Sequence, residues 1–352
     1  MVRRLSSWIL GGTGIATALI ARRPLLHAAL VILCYHRVVP MRHPDEFPYD
    51  SSIVSATPEE FRWQMRYIRR HFTPIDTDAL LAACDGSREL PPRAVLATFD
   101  DGYDDCVKHV LPILKEEGVP GCVFVATDHI ASGETYWFDR LAYAIQRSEV
   151  RRLELPEIGI DIELGKEPRQ RRESYGQVVE AMKTLPDDAR HAALASVDRQ
   201  CPVRKDPEAE LLSRPMNARQ IAAAAREGLS IQSHTVTHPV LANVDDTRLR
   251  HELVQSRDTI ASITGVAPEL LAYPNGTWKD FGAREVAEAR AAGYRAAMTY
   301  ESGIEKREGF DPYRLRRLAV NWRHTRQWFR TMLAIPELAA GSPPPVDRSA
   351  SV

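Results

Sequence analysis

Reduced to apolar and polar positions, the chain alternates short unbroken apolar runs with longer stretches in which apolar residues recur every three or four positions. Residues 28–34 form the first run, which ends in Tyr35-His36-Arg37, the pattern of a buried strand meeting a polar cluster. Thr57-Pro58-Glu59-Glu60 is a capping box with proline at the first helical position, and Phe61, Met65 and Ile68 supply one apolar face behind it, so an amphipathic helix is predicted. Residues 71–75 read as a short strand and 77–84 as a short helix closed near Gly86. Ala94-Val95-Leu96-Ala97, set off by Pro91-Pro92, predicts a buried strand that runs into Thr98-Phe99-Asp100-Asp101-Gly102-Tyr103-Asp104-Asp105. Val107, Val110, Leu111 and Leu114 mark a helix to Gly118, with Asp104 and Asp105 in its first turn, and 121–126 follow as another buried strand.

From about 135 to 214 the rhythm breaks: 137–146 looks helical, the charged stretch beyond has no strong strand pattern, and a mostly helical insertion is predicted. The alternation then resumes. A helix over 218–227 leads to a strand over 229–232 and to Ser233-His234-Thr235-Val236-Thr237-His238-Pro239. Another helix over 246–264 leads to 270–273 and Pro274-Asn275-Gly276, and a helix over 282–292 precedes candidate strands at 295–299 and 315–320. Seven to eight strands alternating with helices, with no glycine-rich phosphate loop after an early strand, predict an α/β fold built as a parallel (β/α) barrel rather than a doubly wound sheet. The barrel domain spans 28–335, between an N-terminal helix over 1–27 and a tail over 336–352 that is expected to be disordered. In such a barrel the active site lies at the C-terminal ends of the strands, where His36, Asp100-Asp101, His234 and Pro274-Asn275 all fall, so these clusters should share one face.

Composition narrows the function. The 46 Lys and Arg against 47 Asp and Glu leave a net charge of −1, which gives no footprint for a nucleic-acid partner. The five cysteines are odd in number and lack paired spacing, which fits a reducing compartment. Arg3-Arg4 and the apolar run to Ala21 imitate a signal peptide, but Gly11, Gly12 and Gly14 interrupt a run too short to span a bilayer. An uncleaved helix is expected, packed on the domain or in peripheral contact with a membrane, which places the protein in the cytoplasm or at the inner membrane; export through a cleaved signal is the alternative.

Two adjacent carboxylates at a strand end repel each other and call for a metal or a proton between them. His234 and His238 can aim two imidazoles at one point, and one carboxylate of the acidic turn completes a two-His, one-Asp set with an open position for water. Zinc is the default divalent ion for such a set, and cobalt or nickel also fits. The other carboxylate is then free to act as a base. A His at position 36 reads either as a rim residue held by a backbone carbonyl or as a proton donor to a leaving amine, and Pro274-Asn275-Gly276 either as a plain turn or as an N–H donor to an oxyanion.

The motifs Thr-Phe-Asp-Asp-Gly, Ser-His-Thr-x-Thr-His-Pro and Ala-Tyr-Pro-x-Gly, in this order over roughly 31–320, resemble those of the polysaccharide deacetylases, the family-four carbohydrate esterases. The resemblance implies a distorted barrel that hydrolyses an N-acetyl amide at one divalent metal. It makes Asp100 the base, Asp101, His234 and His238 the metal ligands, and Asn275 the backbone donor. Many members of the family carry an Arg before the third motif's proline, where this chain has Leu271-Ala272-Tyr273-Pro274; Arg316 or Arg317 is the candidate replacement that tunes the base. The family's Leu-x-His acid motif is also absent. Leu33-Cys34-Tyr35-His36-Arg37-Val38 is similar to the first strand of the poly-N-acetylglucosamine deacetylase subgroup, which makes His36 the candidate acid. Tyr103, Trp137 and Trp278 read either as rings that stack on sugars or as ordinary packing residues. The expected function is removal of N-acetyl groups from N-acetylhexosamine residues of an oligo- or polysaccharide. An esterase or non-sugar amidase on the same scaffold, a non-catalytic carbohydrate-binding protein and a membrane-attached assembly factor are the rivals. Nothing in the pattern specifies an oligomeric state.

Overall fold

Seven of the expected apolar runs become strands of one parallel sheet that closes on itself. They are β1 (Ala29–Tyr35), β2 (Ala94–Phe99), β3 (Gly121–Val125), β4 (Ser230–Ser233), β5 (Leu270–Ala272), β6 (Ala296–Ser302) and β7 (Leu315–Ala319). Their order is β1-β7-β6-β5-β4-β3-β2, and β2 pairs again with β1 from Leu30↔Ala94 to Tyr35↔Phe99. Thr73–Pro74 lies parallel beside β2 and Glu305–Lys306 antiparallel beside β1, so the ring itself has seven members, the lower of the expected counts. This computed structural model describes Ile20, Leu26 and residues 29–339 except 205, 307 and 308. The expected N-terminal helix lies almost wholly outside the described residues, as does the expected disordered tail beyond 339, but the tail's first residues, Pro336–Leu338, form a 3-10 turn with Pro336 buried. Among those described, no helix is long and apolar enough to cross a membrane.

The period of two along each strand sorts the side chains into two cores. Leu30 and Ile32 of β1, Leu96 of β2, Phe124 of β3, Met298 of β6 and Leu315 of β7 pack together inside the ring. The alternate residues, among them Val31, Leu33, Val95, Ala97 and Val123, pack outward against Phe61, Met65 and Ile68 of helix α1 (Pro58–His71). Thr57 caps α1 as its sequence predicts, its Oγ1 accepting from Glu60 N–H at 3.3 Å. Each large aliphatic buried in this way contributes about 1.5–3 kcal/mol.

The insertion has a core of its own. Helices α2 (Trp137–Arg147), α3 (Pro168–Lys183) and α4 (Asp187–Gln200) bury Leu141, Ile145, Val178, Met182 and Leu194 together. It is not wholly helical: Arg152–Leu155 pairs antiparallel with Ile160–Glu163. Leu153 and Leu155 of this hairpin point into the insertion's core while Arg152 and Glu154 face solvent, an alternation over only four residues that the surrounding charge conceals. The helix after the acidic turn also departs from expectation, since it starts as a π-helical segment over Cys106–Val110 before Leu111–Glu117 becomes regular.

Candidate functional site

The two-residue period of β2 carries its inward face from Leu96 through Thr98 to Asp100, just past the strand's end, where the side chain stays buried. On β7 the same parity turns Arg317 inward with Leu315. Arg317 donates from Nη1 to Asp100 Oδ1 and from Nη2 to Oδ2, both at 2.7 Å, and from Nε to the Thr299 carbonyl at 2.7 Å. Arg316 has the opposite parity and is engaged elsewhere, its Nε 3.0 Å from Glu305 Oε1. Of the two candidate cations, Arg317 alone meets Asp100. Burial would raise the Asp100 carboxyl, but Arg317, then His234, outweigh it and hold the group well below the usual carboxylate range. Cys34, also inward-facing, places its Sγ 3.4 Å from Asp100 Oδ2.

Asp101 sits in the turn itself. Its φ of 69° and the 66° of Gly102 bend the chain away from β2, and a Cβ at Gly102 would lie 2.6 Å from Val125 Cγ1, so only glycine fits there. The loop after β4 is equally constrained, with Thr235 at φ 71° and His238 at φ 56°. Glu252, fully buried on helix α5 (Asp246–Thr264), holds that loop by accepting from the N–H groups of Val236 and Thr237 at 2.8 and 2.9 Å and from Thr237 Oγ1 at 2.7 Å.

These loops bring His234 Nε2 and His238 Nε2 to 3.6 and 3.5 Å from Asp101 Oδ1. Such separations are long for hydrogen bonds, yet they match the edge of a tetrahedron, about 3.4 Å, whose ligands lie about 2.0–2.1 Å from a central ion. His234 Nδ1 lies 2.7 Å from the Ala272 carbonyl, which directs its proton there and leaves Nε2 as the free lone pair. Burial and the Asp100 carboxylate push Asp101 well above the carboxylate range, a penalty that a cation between Asp101 and the two imidazoles would relieve. The donor set therefore fits a divalent metal.

His36 follows β1, with Nε2 4.0 Å from Asp100 Oδ2 and its ring edge-on to Tyr300 at 5.6 Å between centroids. Burial lowers it to about 4, only partly countered by Asp100. Asn275, at φ 57°, opens onto the same cleft, which has a volume of about 1350 Å³. Trp137 lines the cleft as well. Tyr103 does not: its ring is fully buried under the Arg37 guanidinium at 3.8 Å and its hydroxyl donates to Asp139 Oδ2 at 2.6 Å, so it has no face to offer a sugar. Trp278 packs against Phe281 and is not itself among the residues that line the cleft, although its neighbours Thr277 and Lys279 are.

Sequence reading missed the scaffold beneath the acidic turn. Asp105, expected to serve the helix dipole, is buried and takes Arg37 Nε at 3.1 Å and Val38 N–H at 2.9 Å. Tyr136 Oη donates to the Asp101 carbonyl at 2.5 Å, and the backbone of Gly102 and Asp104 is tied to Met216 and Arg214 at 2.9 Å each. Arg37 lies next to the candidate acid in sequence, but its partners are distant, and only long-range pairing identifies its role.

A parallel barrel whose mouth holds a His-His-Asp cradle that fits a divalent metal, beside a second, ionised aspartate, is the arrangement of a hydrolase site. The sequence model described as polysaccharide deacetylase matches residues 87–162 and 197–297, and the chain belongs to that family, whose members hydrolyse linear amide bonds. The poly-beta-1,6-N-acetyl-D-glucosamine N-deacetylase of Escherichia coli K12 is 29% identical over 99 residues, which cover 28% of this chain and 14% of that relative's length. The Streptococcus pyogenes deacetylase PplD has a TM-score of 0.58 at 16% identity, over 87% of this chain and 98% of that one. The BpsB deacetylase domain of Bordetella bronchiseptica has a TM-score of 0.51 at 19% identity, over 85% and 98%. These structural likenesses bear on the fold.

Proposed function

We propose that the protein removes N-acetyl groups from N-acetylhexosamine residues of an oligo- or polysaccharide, with Asp101, His234 and His238 holding one divalent metal, zinc by the chemistry of the donors. The observation that carries this reading is the convergence of that cradle with the Arg317-bound Asp100 and with His36 in one cleft. When bound, the ion would acidify water and polarise the acetyl carbonyl. Asp100, ionised at neutral pH, accepts a proton from the attacking water. The backbone N–H of Asn275 offers a donor to the developing oxyanion.

His36 is neutral at pH 7 by its lowered pKa of about 4, so it cannot donate until it has gained a proton. Asp100 lies close enough to supply that proton, through one bridging water across the 4.0 Å gap. Because Asp100 is the stronger acid of the two, transfer to His36 runs downhill. The proton taken from water thus reaches the amine that leaves, and the acid and the base act in series. Acetate release from a panel of N-acetylglucosamine oligomers and O-acetylated sugars tests the reading. Release from the amides, abolished by chelator and by Asp100→Asn, is expected; release that survives both, or release from the esters alone, overturns it.

A further inference from the structure

Helix α3 lies between the two stretches matched by the family model, 87–162 and 197–297, so it belongs to this chain's own insertion. One face of α3, with Val178 and Met182, packs into the insertion's core. The other face carries Arg169, Arg172, Glu173, Gly176, Glu180 and Lys183, which line the same cleft as His36, Asp100 and His238. The stripe carries both signs and is internally compensated: Arg169 pairs with Glu173 at 3.0 Å, Lys183 with Glu180 at 2.6 Å, and Arg172 with Asp45. A surface of balanced donors and acceptors suits the hydroxyl and acetamido groups of a neutral sugar chain better than it suits a polyanion.

Gly176 is the second observation. It stands in the middle of a sixteen-residue helix, where glycine is a poor helix former, yet its backbone has no positive φ and a Cβ there would meet nothing within 4 Å. Neither conformation nor packing requires glycine. What its missing side chain leaves is bare backbone facing the open space of the cleft. At about 1350 Å³ the cleft also exceeds the roughly 300–1,000 Å³ that suits a drug-sized ligand, and a single acetylated hexose is smaller still.

We propose that α3 is a specificity-determining wall for a neutral N-acetylhexosamine chain several units long, with one sugar lying against the bare backbone at Gly176. The proposal rests on the de-N-acetylase reading and extends it to the length and charge of the substrate. The test uses the full chain and its Gly176→Gln, Gly176→Ala and Arg169→Ala variants. Tm, steady-state acetate release and calorimetric binding are measured with an N-acetylglucosamine dimer and hexamer, and binding with a hexuronate oligomer. Both Gly176 variants should melt no lower than the parent, since Ala and Gln are better helix formers. Gly176→Gln should raise the hexamer KM and weaken hexamer binding about tenfold, while kcat and the dimer KM stay unchanged. Gly176→Ala should raise the hexamer KM less than Gly176→Gln does, and Arg169→Ala should raise the hexamer KM by a second route at unchanged Tm. The proposal is overturned if the Gln variant folds and leaves hexamer binding unchanged, if dimer and hexamer shift together, or if the hexuronate binds more tightly than the hexamer. Absence of acetate release from every oligomer would refute the de-N-acetylase reading instead, and hexamer binding would still decide the role of the wall.

Discussion

Replacing Arg317 by Gln removes the one guanidinium that faces Asp100, and the structure sets the size of the effect. The pair is almost fully buried, with two contacts of 2.7 Å, and the variant leaves a carboxylate without its counter-charge, which costs roughly 3–5 kcal/mol. The lost bond to the Thr299 carbonyl adds about 1 kcal/mol. The pH dependence should change sign. In the parent, Asp100 titrates below its unfolded value of about 3.9, so its stabilisation is present above that pH and is lost as pH falls through the folded pKa. Without Arg317, burial dominates and the folded pKa lies above 3.9, so the group's contribution improves as pH falls through that higher value. Urea unfolding at several pH values reads the stability, and the acid limb of kcat/KM reads the base; the limb should move to higher pH in Arg317→Gln. A double variant with Asp100→Asn, in which no charge is left buried, should regain part of the lost stability while remaining inactive. An unmoved acid limb, or a loss of stability under about 1 kcal/mol, would refute both the tuning role and the assignment of Asp100 as base.

Three other outcomes are expected. After loading with zinc and dialysis, His238→Ala should retain less zinc than the parent, measured by elemental mass spectrometry, with little change in far-UV circular dichroism. Gly102→Ala places a Cβ 2.6 Å from Val125 Cγ1 at a φ of 66° and should lower stability by about 1–3 kcal/mol, seen as a fall in Tm. In chelated protein His36, lowered from 6.5 to about 4, should remove stability as pH falls from about 6.5 to 4, by as much as about 3 kcal/mol; His36→Asn should flatten that part of the profile by urea titration.

The barrel was legible because strands buried on both faces read as continuous apolar runs, and the polar residue that ends each run is forced to the rim. Asp100, Asp101, His234 and His36 stood out for that reason. Choosing between Arg316 and Arg317 needed the parity of β7, and Leu315-Arg316-Arg317-Leu318 offers apolar residues on both faces; only Leu315 in the inner core and Leu318 in the outer one settle it. Tyr103 was a candidate for stacking on a sugar because it stands beside the acidic turn, and its burial depends on Arg37 and Asp139, which are far away in sequence. The hairpin at Arg152–Leu155 was hidden because two buried leucines among charges carry too little period to register. The cleft wall escaped for a related reason, since the outward face of α3 resembles any solvated helix until the cleft it borders is known.

The closure of β1 on β7 also has a consequence for how the protein comes into being. Asp100 leaves the ribosome early, but the guanidinium that keeps it ionised is 217 residues further along. Until that last strand has been synthesised and docked, a buried Asp100 has no counter-ion, and burying it is unfavourable. A nascent or truncated chain can collapse around β1 to β3 and still lack a competent base. On the proposed mechanism the base becomes available only when Arg317 has joined the ring, so that activity would report that the chain has been made and docked at least as far as that strand.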